Sequence, residues 1–242
     1  KAIFIDEAQD LSPLQWKLFD KLKQYTDDIY LAGDDDQAIF AWAGADVDRF
    51  ISEKADKEKV LKYSKRISRA VQEQSIIPLT NIIGLRKLKQ YYPRDYEGEC
   101  LKINNLDQID LTEGNWLILT RTISRLIKMT KELRKRNLYY YTNKGKSFIV
   151  RLYNASVNYN SWCRGIELDQ KEVKDVEEYI GVKQDKWDNT VDWFDAFKEA
   201  NLSEKEYIKN MIDNGEDLDD RARIKVSTIH AAKGGEEDSV IL

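Results

Sequence analysis

The sequence lacks any long apolar run, and no stretch approaches the roughly 20 residues that a membrane-spanning helix needs. It also begins without the basic-then-apolar pattern of a secretory signal. These absences predict a soluble, intracellular, cytoplasmic protein with no membrane partner. Only three prolines and 11 glycines occur among the 242 residues, and there is no internal repeat or low-complexity tract, which excludes a collagen-like or disordered chain.

Cysteine is also scarce, since Cys100 and Cys163 are the two in the chain. They lie far apart and match no metal-ligand spacing, so we expect two reduced thiols. The net charge of −4 by itself argues against a nucleic-acid binder, but the charge is unevenly distributed. Acidic residues are concentrated in 167–220, and the rest of the chain is mildly basic. This asymmetry indicates an acidic segment inserted into a basic body.

What the sequence does contain is an alternation of apolar runs and helical patterns. Ser12-Pro13-Leu14-Gln15 has the residues of a helix start, and Leu14, Leu18 and Leu22 then line one face. We predict strands at 2–5, 29–32, 116–120, 138–141, 225–229 and 239–242, and helices at 46–54 and 124–136. This order predicts a parallel α/β fold. For residues 146–220 the sequence predicts acidic amphipathic helices instead, with a capping box at Ser203 and Glu206.

Asp6 and Glu7 directly follow the first predicted strand. Many nucleotide hydrolases hold Mg²⁺ and activate water with carboxylates at such a strand end. Acidic residues after a strand are more often solvated turn residues or helix caps, so the pair alone is a weak signal. A second segment, GDDDQAIFAWAGAD at 33–46, follows the next predicted strand and makes the combination specific.

Together, IDEAQD and AGDDDQAIFAWAGAD resemble motifs two and three of UvrD-like superfamily 1 DNA helicases. The resemblance implies that Asp6 ligates Mg²⁺, Glu7 polarises the attacking water, and Gln37 senses the γ-phosphate of ATP. Phe40 and Trp42 then offer aromatic faces for stacking single-stranded bases. The alternative for Trp42 is a core tryptophan.

Residues 61–71, LKYSKRISRAV, are similar to motif four of the same family. Arg66 falls on the family's arginine, which implies an internal arginine finger that neutralises γ-phosphate charge. Lys65 replaces the family's usual tyrosine. Outside this resemblance, Arg66 is an ordinary surface arginine.

Residues 228–238, TIHAAKGGEED, resemble motif five and contain the single histidine of the chain. By resemblance, Thr228, His230 and Gly234 contact the DNA backbone, and Glu236 approaches the ribose of the nucleotide. Gly235 stands where the family usually has leucine. Arg121, after the strand at 116–120, matches a DNA-contacting arginine of related helicases more loosely.

Gly145-Lys146-Ser147 copies the end of a phosphate loop, G-x-x-x-x-G-K-[ST]. Position 140 is tyrosine instead of the first glycine, so the nest of backbone amides around a phosphate is not expected. We therefore interpret this segment as structural.

The resemblance implies RecA-like P-loop NTPase sheets with a small helical insertion. Residues 1–58 would be the C-terminal part of the first RecA-like domain, 59–145 and 221–242 the second, and 146–220 a helical accessory insertion. The family's phosphate-loop motif and motif six are absent, so we expect an internal piece of a longer helicase that is inactive alone.

The implied activity is 3′ to 5′ movement on single-stranded DNA and at DNA duplex junctions, driven by ATP with Mg²⁺. A DNA-binding or scaffold protein without turnover is the alternative, and a helicase fused to a nuclease is a third possibility. The sequence indicates no particular protein partner.

Overall fold

The computed structural model describes residues 1–82 and 86–242. The chain divides into two compact units, Lys1–Gln108 and Ile109–Leu242. Each unit contains parallel strands together with helices, so the predicted α/β class is confirmed. Within the described residues, no helix combines the length and apolar character that a membrane span requires.

The described residues of the first unit, 1–82 and 86–108, form a two-stranded parallel sheet and three α-helices. Its elements are β1 (Ala2–Ile5), α1 (Pro13–Lys23), β2 (Asp28–Leu31), α2 (Val47–Ser52) and α3 (Arg69–Leu79). Short 3-10 helices lie at Ala8–Asp10, Asp35–Gln37, Ala41–Ala43 and Leu106–Gln108. β1 and β2 pair in register, with Ile5 opposite Leu31.

The predicted helix start at Ser12 is confirmed, and it is a capping box. The Ser12 hydroxyl accepts the N–H of Gln15 at 3.4 Å, and the Gln15 side chain accepts the N–H of Ser12 at 2.8 Å. The buried face of α1 consists of Trp16 and Phe19. The stripe of leucines at 14, 18 and 22 is exposed instead.

The second unit contains a five-stranded sheet in the order β5-β4-β6-β3-β7. Its elements are β3 (Trp116–Thr120), α4 (Ile123–Lys135), β4 (Tyr140–Thr142), β5 (Gly145–Lys146), α5 (Val150–Cys163), α6 (Gln170–Ile180), α7 (Trp193–Ala196), α8 (Leu202–Asp213), β6 (Ile224–Thr228) and β7 (Ser239–Ile241). All pairings are parallel except β4 with β5. The predicted strands and helices of this unit are therefore present, with ends shifted by one or two residues.

Helices α5 to α8 enclose an aromatic core that includes Tyr159, Trp193 and Phe197. The predicted capping box at Ser203 and Glu206 is wrong, because the N-cap of α8 is Asn201, whose side chain accepts the N–H of Ser203 at 2.9 Å. A capping box does begin α6, formed by Asp169 and Glu172.

Candidate functional site

The first group of predicted site residues lies where β1 and β2 end. The pairing continues past both strands, because Ala32 donates its N–H to the Ile5 carbonyl at 2.8 Å and Ala8 donates to the Ala32 carbonyl at 2.9 Å. Asp6 and Glu7 therefore leave the sheet at the same edge as the segment that begins at residue 33. Parallel strands bring ligand-binding residues together at this edge.

Glu7 adopts a left-handed backbone conformation, with φ 53° and ψ 40°. A non-glycine residue in this region carries a conformational cost and is often found at functional sites. The N–H of Glu7 donates to Asp6 Oδ1 at 2.9 Å. Both carboxylate side chains are exposed, so a ligand can reach them.

Gln9 connects the two strand ends, a role that the sequence analysis did not predict. It is completely buried. Its Nε2 donates to Glu7 Oε2 at 2.5 Å, and its Oε1 accepts the N–H of Asp34 at 2.9 Å. A buried amide with both of its ends hydrogen-bonded fixes the groups on either side of it. The available signal in the sequence was a glutamine two residues after Glu7, inside a segment that is otherwise acidic or small.

Gln37 is attached to the same network through Asp34. The Gln37 Nε2 donates to Asp34 Oδ2 at 2.8 Å, and Asp34 Oδ1 accepts the N–H of Asp36 at 3.1 Å. A continuous hydrogen-bonded path therefore runs from Glu7 through Gln9 and Asp34 to Gln37. The structure brings these predicted residues, Glu7 and Gln37, into one network.

The loop that carries Gln37 is strongly charged and is neutralised by a basic segment later in the chain. Arg86 contacts Asp36 through both carboxylate oxygens, and Lys89 contacts it as well. Burial alone raises the pKa of Asp36, but the hydrogen bonds and charges of Arg86 and Lys89 outweigh burial, so this pKa lies below its ordinary value. Asp36 is therefore ionised over the physiological range.

The two predicted stacking residues lie just after this loop. Trp42 belongs to the 3-10 helix at 41–43 and is 74% exposed, so it is not part of a core among the described residues. Phe40 precedes that helix and is half-buried. Base stacking by the pair stays a prediction.

Arg66 lies in the first unit, just before α3. Its backbone N–H donates to the Ser64 hydroxyl at 3.2 Å, and Ser64 accepts the N–H of Ile67 at the same distance. The side chain is exposed. This turn fixes the backbone that carries Arg66, and the role as an arginine finger stays a prediction.

The second group of predicted site residues lies where β3 and β6 of the five-stranded sheet end. β3 and β6 are parallel neighbours with Thr120 opposite Thr228, and the N–H of Ile229 donates to the Thr120 carbonyl at 3.0 Å. Arg121 and the turn that contains His230 therefore follow neighbouring strand ends. The structure therefore places these residues, which the sequence analysis predicted to contact DNA, at the carboxyl ends of two neighbouring strands.

The rest of this turn is held by its own backbone. The Thr228 hydroxyl accepts the N–H of Ala231 at 3.3 Å, and Gly234 has a φ of 80°, which favours glycine. A Cβ at Gly235 would lie 3.0 Å from the Ala232 carbonyl oxygen, so a side chain fits poorly at this position. Glu236 is exposed just beyond the turn.

The segment 145–147 supports the interpretation as structural. Lys146 donates through Nζ to the Leu218 carbonyl at 2.5 Å and the Asp219 carbonyl at 3.3 Å. The hydroxyls of Tyr207 and Ser147 are hydrogen-bonded to each other at 2.9 Å. The lysine and serine that imitate a phosphate loop are thus used to join β5 to the chain near 218 and to α8.

A parallel α/β chain with carboxylates and an amide at adjacent strand ends has the arrangement of proteins that bind nucleotides at this edge. Comparison with known proteins shows which nucleotide-binding proteins this chain is similar to. Residues 1–59 match the family model of the UvrD/REP helicase N-terminal domain. The predicted resemblance to UvrD-like helicases is confirmed by this match and by several relatives.

The chain is 27% identical over 188 residues to the ATP-dependent DNA helicase PcrA of Bacillus subtilis. This alignment covers 74% of this chain and 24% of that protein. The chain is 26% identical over 194 residues to the ATP-dependent DNA helicase Rep of Buchnera aphidicola subsp. Acyrthosiphon pisum, covering 77% of this chain and 29% of the relative. The Rep helicase of Buchnera aphidicola subsp. Baizongia pistaciae is 29% identical over 100 residues, 40% of this chain and 15% of the relative. The chain therefore spans less than a third of the length of these relatives.

Proposed function

We propose that this chain is part of an ATP-dependent DNA helicase or translocase of the UvrD type. The observation that carries the proposal is the hydrogen-bonded path from Glu7 through Gln9 and Asp34 to Gln37. It connects a carboxylate that can accept a proton with an amide that can contact phosphate. The names of the relatives, which are ATP-dependent DNA helicases, support this reading.

The residues at the end of β1 fit a site for Mg²⁺ with ATP. Within the described residues, no group of three or more His, Cys, Asp or Glu side chains forms a metal site by itself. Mg²⁺ in such enzymes needs one or two carboxylates, with phosphate and water as further ligands, and Asp6 would hold it here. A bound Mg²⁺ would supply positive charge to the phosphates.

The remaining roles are those that the resemblance to UvrD-like helicases implies, and each suits the chemistry of its side chain. Glu7 orients the attacking water and accepts its proton, and Gln37 contacts the γ-phosphate. Arg66 supplies positive charge to the same phosphate, and Glu236 contacts the ribose.

We assign DNA binding to the two aromatic residues after the acidic loop and to groups that follow the strand ends of the second unit. Phe40 and Trp42 stack on single-stranded bases, while Arg121 and the turn at 228–234 contact phosphates through Thr228, His230 and Gly234. The substrates are single-stranded DNA and duplex junctions, with movement from 3′ to 5′. The accompanying domain assignment is 1–58 for the first RecA-like domain, 59–145 with 221–242 for the second, and 146–220 for the insertion.

The first test is single-stranded-DNA-stimulated ATP hydrolysis by the longer protein that contains this chain. Replacing a general base costs at least about 100-fold in rate, so Glu7→Gln should lower kcat by that factor. The matched control is Glu73→Gln, which makes the same change on an exposed residue of α3 and should leave kcat unchanged. Equal rates for Glu7→Gln and the wild type would contradict the proposal.

The same experiment addresses the alternative function. If the wild-type protein binds single-stranded DNA without hydrolysing ATP, the scaffold reading replaces the helicase reading. The 242-residue chain by itself contains no complete G-x-x-x-x-G-K-[ST] motif, so we expect it to show no measurable turnover. Appreciable hydrolysis by a pure sample of the chain would contradict that expectation.

A further inference from the structure

Lys89 lies 50 residues or more from the acidic loop in sequence but contacts all three of its aspartates. Its Nζ is 2.5 Å from Asp34 Oδ1 and 3.2 Å from Asp36 Oδ2, and it also pairs with Asp35. No motif quoted above includes this lysine. Lys89 therefore compensates the negative charge of three aspartates at once.

Most of this cluster is shielded from water. The exposed fraction of the side chain is 15% for Lys89, 5% for Asp35 and 7% for Asp36, while Asp34 is 34% exposed. Burial alone lowers the pKa of Lys89, but hydrogen bonds and charges from Asp34 and Asp35 outweigh it and raise this pKa above its ordinary value. Removing one partner of a buried ion pair leaves the other charges uncompensated, which disfavours the conformation that holds them.

Arg86 and Lys87 contact the same loop but do not duplicate this contact. Arg86 pairs with Asp36, and Lys87 donates its backbone N–H to Asp35 at 2.9 Å while its Nζ pairs with Glu58. Lys89, by contrast, forms an ion pair with Asp34. Asp34 in turn holds the Gln37 amide with its other carboxylate oxygen.

We propose that Lys89 is a positioning residue that fixes Asp34, and through it Gln37. The backbone of Asp34 is bound to Gln9, which contacts Glu7, so the influence of Lys89 extends to the carboxylate as well. This inference rests on the proposed function for its effect on catalysis. Its effect on the loop itself follows from the contacts alone.

The test compares Lys89→Met, Lys89→Arg and Lys87→Met in the longer protein that contains this chain. Lys87→Met is the matched control, because it removes a neighbouring lysine side chain and keeps the backbone N–H that Asp35 accepts. Should Lys89→Met fail to fold, Lys89→Gln replaces it and retains a hydrogen-bond donor. Two quantities are measured: hydrogen exchange in peptides that cover 33–38, and kcat and KM for DNA-stimulated ATP hydrolysis.

We expect Lys89→Met to speed exchange at 33–38 at least about fivefold, with little change in peptides from α1. Because a small misplacement of a catalytic group can cost up to about 100-fold, kcat should fall between about 10- and 100-fold while KM for ATP changes less than about twofold. Lys89→Arg keeps the positive charge, so its exchange at 33–38 and its kcat should be close to those of the wild type. Lys87→Met should match the wild type in both quantities.

Unchanged exchange at 33–38 in Lys89→Met would overturn the inference. So would faster exchange spread equally over the whole first unit, because that pattern indicates general destabilisation. If the wild-type protein hydrolyses no ATP, the proposed function fails, and exchange at 33–38 alone then decides whether Lys89 positions the loop.

Discussion

Gly33 allows the close approach that forms the Gln9 network. A Cβ added at this position would lie 2.7 Å from Gln9 Oε1 and 2.8 Å from Phe50 Cζ. Gly33→Ala should therefore displace the Gln9 amide and destabilise the first unit by about 1–3 kcal/mol, the usual cost of overpacking. The measurement is hydrogen exchange of the Asp34 amide, which donates to Gln9, together with the urea midpoint of the first unit.

Gly44→Ala provides the control for Gly33→Ala. No atom lies within 4 Å of an added Cβ at Gly44, although its φ of 95° disfavours alanine. This variant should lose some stability through the backbone but leave the Asp34 amide protected. If both variants expose the Asp34 amide equally, steric contact with Gln9 is not the cause.

At the scale of single residues, the resemblance to helicase motifs two and three pointed to Asp6, Glu7 and Gln37, and their roles stay predictions. The residues that connect and hold them could not be predicted in this way. Gln9 and Lys89 were missed, because their partners are created by the pairing of β1 with β2 and by the return of the chain near 86–89. Such contacts depend on tertiary structure, and no local pattern encodes them.

Helix α8 shows what determines a helix start. Asn201 is its N-cap, and its side chain accepts the N–H groups of Ser203 and Glu204. Asn201→Ala should therefore lower the free energy of unfolding of the second unit by about 1 kcal/mol. Ser203→Ala is the matched control and should cost much less, since Ser203 already lies inside the helix. Thermal unfolding of the two variants checks the order, and a larger loss for Ser203→Ala would restore the capping box that the sequence suggested.

At the scale of elements, apolar runs predicted the strands well. β1, β2, β3, β6 and β7 all lie within one or two residues of their predicted ranges, because apolar residues are concentrated in these segments. Burial differs among them, since β1 and β2 alternate exposed and half-buried residues while β3 and β6 are largely buried. The helix α1 was also predicted, but its leucine stripe did not identify the buried face. Trp16 and Phe19 are buried there instead, because the face that is covered depends on which elements pack against the helix.

The two units differ greatly in the cores that support them. In the described residues of the first unit, Ala8, Trp16 and Phe19 form a core cluster beside a two-stranded sheet, and Leu106 is also buried. The second unit has a five-stranded sheet and a large aromatic core that includes Tyr159, Phe197 and Ile208. Hydrophobic burial scales with the apolar area removed from water, and a two-stranded sheet is marginal on its own.

We therefore expect the first unit of the isolated chain to unfold at a urea midpoint lower by about 1 M or more than that of the second unit. Hydrogen exchange at increasing urea measures this directly, with peptides from β1 and β2 compared with peptides from β3 and β6. Trp16→Leu should lower the first transition alone, and Trp193→Leu, the matched change in the aromatic core, should lower the second alone. Coincident transitions that move together in both variants would show that the units unfold as one cooperative body, contrary to this prediction.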